Sequence, residues 1–106
     1  LPKTAWPPTL NPLMIHTMPE LIDAYSHELG HHETGSFYKI DSKYETRQRM
    51  EEKATRWAVQ ELIPADKLLA AFEMGYTEIW QLAEYFNVTE DFIKNTIRIH
   101  RVKGNI

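Results

Sequence analysis

The stretch 27–31, His-Glu-Leu-Gly-His, constrains this chain more than any other feature. In an α-helix, residues four apart share a face and lie about 6 Å apart along the axis. His27 and His31 can then bring two imidazole nitrogens to one divalent ion, at about 2.0–2.1 Å each for zinc. Glu28 points to the edge of the same face, where it can reach a water on the ion without becoming a ligand. Zinc lowers the pKa of such a water towards neutrality, and a carboxylate beside it can take the proton and deliver it to a leaving amine. Gly30 leaves room for another backbone or a substrate to come close. A catalytic zinc wants three protein ligands and an open position, so a helix with this pattern needs a partner element across from it.

The chain has no cysteine, which excludes a disulfide scaffold and every thiolate zinc site. The third ligand must be His, Asp or Glu. A metzincin-type site would need glycine three residues after His31 and histidine six after it, but those positions hold Thr34 and Phe37. A carboxylate from a later helix remains, and the second helix offers Glu45, Glu51, Glu52 and Glu61. Glu51 lies three residues before Ala54 and seven before Ala58, so it extends the face expected to be buried. Glu52 is rotated by about 100° and should look more towards solvent. Glu51 is the expected ligand and Glu52 the alternative.

The remaining pattern is helical. Residues 1–12 hold four of the six prolines and should be irregular, and 13–16 is a short apolar run expected as one strand. Thr17 and Glu20 have capping-box spacing, predicting a first helix that ends at Gly35. Ser42 and Glu45 repeat the spacing ahead of a second helix over about 43–63, with Ala54, Trp57, Ala58 and Leu62 as its buried stripe. Pro64 ends that helix. A third follows through Leu68, Leu69 and Phe72; Thr77 should cap a fourth (Ile79, Leu82, Ala83, Phe86) and Thr89 a fifth (Phe92, Ile93, Ile97). The 106 residues, 42% apolar, suffice for one packed core. The expectation is an α+β, mainly helical, minimal zincin-like domain of about five helices with a small or vestigial sheet. Residues 13–63 form the metal-binding core and 64–106 a helical tail.

The residues 27–32 (HELGHH), then Glu51-x-x-Ala54, Arg56-Trp57-Ala58 and Leu62-Ile63-Pro64, resemble the ImmA/IrrE family of neutral zinc metallopeptidases, above all its phage and Gram-positive mobile-element members. The tail stretch LAEYFNVTEDFIK (82–94) is similar too, and the likeness spans roughly 13–103. The resemblance implies Zn²⁺ held by His27, His31 and Glu51, with Glu28 as catalytic base and a peptide bond as substrate. It also implies a protein partner of the helix-turn-helix repressor type, encoded by a phage or mobile element.

A second reading takes 77–98 as a helix-turn-helix, making the chain a DNA-binding or protein-binding regulator whose zinc is structural or catalytically silent. Glu90 and Asp91 would then meet phosphates with the wrong sign, and a net charge of −3 argues against a nucleic-acid partner. The same residues read as a helix pair packed on the core. His32 is expected at the surface and Tyr25 in the core; Tyr38 and Tyr44 are candidate oxyanion donors between which spacing does not choose. His16 and His100 are too remote to assign. No apolar run approaches a membrane span, and no signal-peptide h-region is present. With no cysteine, a cytoplasmic location is expected. Nothing in the sequence sets an oligomeric state.

Overall fold

A computed structural model describes residues 15–106. Five helices follow in order: α1 (Met18–Thr34), α2 (Tyr44–Leu62), α3 (Ala65–Glu73), α4 (Ile79–Phe86) and α5 (Glu90–Val102). The fold is mainly helical, with the number of helices the periodicity predicts. The expected strand at 13–16 falls largely outside the described residues; Ile15 and His16 are not in a strand, and none occurs among the described residues.

Local chemistry explains most helix ends. The Thr17 hydroxyl accepts from the Glu20 amide while the Glu20 carboxylate accepts from the Thr17 amide, a complete capping box that starts α1. Gly35 ends the helix in the left-handed conformation (φ 64°), returning its N–H to the carbonyls of His31 and His32. Thr89 caps α5 through the Phe92 amide. Two expected caps move. Ser42 does not cap α2; its hydroxyl accepts from the Lys39 amide at 2.9 Å and closes the preceding turn, and Lys43 takes the cap position. Glu78, not Thr77, caps α4, because Gln81 reaches back to the Glu78 amide in a second capping box.

The core joins the C-terminal half of α2 to the tail helices. Ala58, Val59 and Ile63 pack with Leu68, Ala71, Leu82, Val88, Ile93 and Ile99. Buried His100 lies with Nε2 2.8 Å from the Ile63 carbonyl, the point where Pro64 stops α2 from continuing. In front of this core, α1 packs mainly on α2. The two backbones nearly touch: a Cβ built on Gly30 would lie 2.4 Å from the Ala54 carbonyl oxygen. The lost side chain at Gly30 and the small one at Ala54 set the separation of the helices. Tyr25, expected in the core, is 55% exposed. It lies about 200° around α1 from His27, away from the face that α2 covers.

Candidate metal centre

The close approach of α1 and α2 faces His27 and His31 towards Glu51. His27 Nε2 lies 2.6 Å from Glu51 Oε1, and His31 Nε2 lies 3.3 Å from Glu51 Oε2. The imidazole rings meet edge to face with centroids 4.8 Å apart. One donor atom from each residue falls within 4.8 Å of the others, a grouping able to hold a metal ion. The neighbouring Glu52 turns away from the group, as its phase on the helix predicts, but towards α5 and not to open solvent. Its two oxygens accept from Arg98 of α5 at 2.9 and 3.0 Å, and Arg56 adds a third bond at 3.1 Å. Glu45 and Glu61 are exposed and outside the group.

The connection between α1 and α2 supplies further contacts. His31 is buried, and its Nδ1 lies 2.6 Å from the Ser36 carbonyl. A carbonyl only accepts, so Nδ1 carries the proton, and in a neutral ring the lone pair of Nε2 faces Glu51. Nε2 and Oε2 stand 3.3 Å apart, an approach that a proton on the ring or a cation beside the pair would satisfy. Two imidazoles and one carboxylate, with no thiolate, are the ligand set of many catalytic zinc sites. The residues therefore fit the ion that the sequence implies. Ser36 is held in turn by the Thr34 hydroxyl, which donates to the Gly30 carbonyl at 2.7 Å and shares a 2.6 Å hydrogen bond with the Ser36 hydroxyl.

Tyr38 donates its hydroxyl to Glu51 Oε2 at 2.8 Å. Partial burial raises the Glu51 pKa, but the bonds from Tyr38 and His27 and the charge of both histidines outweigh it, and the net shift is downward. The same bond to Glu51 pushes the Tyr38 hydroxyl up, so it keeps its proton. Glu28 is half-buried on α1 and close enough to Tyr38 for their charges to be felt. Tyr44, at the start of α2, is 65% exposed, and His32 is exposed with its ring against Phe37.

Beside His27 a cavity of about 420 Å³ opens between α1, α2 and α5, with Ala24, Ala58 and Phe92 as its apolar lining and Asp23, Asp91 and Asn95 as its polar one. Its far wall is tied down where Asp23 of α1 accepts from both the amide and the hydroxyl of Thr89. The start of α5, the would-be DNA-reading helix, is thus bound to α1, and Phe92, Ile93, Thr96, Ile99 and His100 are buried. Sequence reasoning missed Ser36 and did not choose Tyr38. Both sit in a loop, where no periodicity marks which side chains turn inward.

Among known proteins, a family profile described as the IrrE N-terminal-like domain, peptidase M78, matches residues 24–98. No curated protein and no solved structure gives a significant match. The matched stretch includes α1 from Ala24 onward, all of α2 and most of the tail.

Proposed function

The chain belongs to the IrrE N-terminal-like domain family of M78 peptidases, and from that premise we propose that it is a zinc-dependent endopeptidase. His27, His31 and Glu51 hold the ion and Glu28 is the general base. The observation that carries the reading is the convergence of two histidine nitrogens and one carboxylate from two helices to within 4.8 Å of one another.

When bound, zinc supplies Lewis acidity towards the peptide carbonyl and makes water a better nucleophile. The Ser36 carbonyl keeps the His31 Nε2 lone pair turned inward. Glu28 takes a proton from the attacking water on one carboxylate oxygen and passes it to the nitrogen of the departing amine. The cavity beside His27 gives the substrate chain an apolar surface next to that carboxylate's helix. The substrate class in this reading is a helix-turn-helix repressor of a phage or mobile element, cut to relieve repression, in a cytoplasmic setting. No helix among the described residues is long and apolar enough to cross a membrane.

The test mixes the zinc-loaded chain with the repressor encoded beside it and follows the appearance of a fragment. Glu28→Gln should lower cleavage by about 10²–10⁴-fold, the usual worth of a general base, and leave one equivalent of zinc bound. Equal cleavage by both proteins sinks the assignment of Glu28. A wild-type chain that takes up no zinc sinks the metal centre.

A further inference from the structure

The loop between α1 and α2 touches ligand candidates from both helices. Its Ser36 carbonyl meets His31 at 2.6 Å, and its Tyr38 hydroxyl meets Glu51 at 2.8 Å. The loop is anchored on either side of Tyr38. The Ser36 amide bonds the His31 carbonyl, and the turn after it closes through mutual bonds between Lys39 and Ser42. Tyr38 stands between these anchors with its ring 6.4 Å from that of His31. Although 40% exposed, the side chain directs its one polar atom at the carboxylate and not at solvent.

We infer that Tyr38 is a positioning residue that occupies Glu51 Oε2, so that the carboxylate offers the ion Oε1 alone. The inference rests on the metal-centre reading above. Oε1 is the oxygen that already faces His27, at 2.6 Å, while Oε2, 3.3 Å from His31 Nε2, is held more closely by the Tyr38 bond at 2.8 Å. A carboxylate with one oxygen held by a hydroxyl binds through the other, which leaves a coordination position open for water and substrate. Without the hydroxyl, both oxygens are free to bind, and the carboxylate also loses the bond that aims it.

The measurement uses the full chain loaded with Co²⁺, whose visible absorption is stronger at four-coordinate than at five-coordinate sites, together with Zn²⁺ affinity from competition with a chelator. Tyr38→Phe should weaken zinc binding by about tenfold or more, the usual loss when an outer partner of a ligand is removed. It should also lower the visible absorption per bound cobalt. A Glu51→Asp variant that keeps Tyr38 controls for general loosening of the site, and should weaken affinity without reproducing the Tyr38→Phe spectrum. Unchanged affinity and spectrum in Tyr38→Phe overturn the inference while leaving the metal centre standing. Failure of the wild-type chain to bind either ion overturns both. An affinity loss with an unaltered cobalt spectrum also overturns it, because the tyrosine would then only stiffen the loop.

Discussion

Two adjacent glutamates on α2 have different fates, and the cause is one residue of helical rotation. Glu51 looks across to α1 and its histidines; Glu52, about 100° further round, looks to Arg98 on α5. Charge and residue type are the same, so only direction separates them. Glu51→Gln should therefore abolish tight zinc binding, because an amide is a poor zinc ligand. Glu52→Gln should keep one equivalent of zinc at nearly the wild-type affinity. Chelator competition on the two variants decides, and the reverse result would mean that the ligand has been misassigned. Phase on the helix already turned Glu51 towards α1, so that direction was legible before any coordinates. The Ser36 and Tyr38 contacts were not, since they depend on where a loop turns.

The contact between α1 and α2 is made at one point by backbone against backbone. Gly30 has no Cβ, and one placed there would stand 2.4 Å from the Ala54 oxygen and 2.9 Å from its Cα. Because the obstruction is main chain, trimming Ala54 to glycine would not relieve it. Gly30→Ala should force the helices apart and destabilise the fold by about 1–3 kcal/mol, the range for overpacking a close contact. Adding the Ala54→Gly change should not restore it. Thermal unfolding of both variants provides the check, and a melting temperature equal to wild type for Gly30→Ala would contradict the close approach. The same displacement moves Glu51 away from His27 and His31, so zinc affinity should fall with stability. Gly30 and Ala54 were each recognisable as small residues suited to a close approach. That they oppose each other depends on how the helices cross.

Among the described residues, two carboxylates tie the tail to α1 and α2: Asp23 with Thr89, and Glu52 with Arg98. They respond to acid in opposite senses. Bonds from Arg98 hold the Glu52 carboxyl below its ordinary value of 4.5, against partial burial. A carboxyl with a lowered folded-state pKa adds stability that is present above the unfolded value and is lost as pH falls through the folded one. Asp23 is raised, first by burial, against the bonds from Thr89, so its ionised form costs stability that acid relieves. Removing the guanidinium isolates the first effect. Arg98→Met should cost roughly 0.5–1 kcal/mol at pH 7, the scale for a solvent-screened pair, and the gap to wild type should close as pH drops well below 4.5. Urea unfolding at pH 7 and pH 3 measures it; an equal gap at both would make Arg98's contribution packing and not charge.

Period and local caps were enough to set five helices, Ala54 and Ala58 on the buried face of α2 and the capping of α1 and α5, because each depends on neighbours within a turn or two of chain. The i, i+4 histidines and the phase of Glu51 belong to the same class of information. Tertiary structure alone decided that Ser42 closes a turn, that Tyr25 stays exposed, that Glu52 reaches Arg98, and that one loop touches both His31 and Glu51. Apart from the turn at Ser42, these outcomes depend on how separate elements meet. Their geometry follows from how closely α1 can approach α2, a distance set by packing and by no repeat in the sequence.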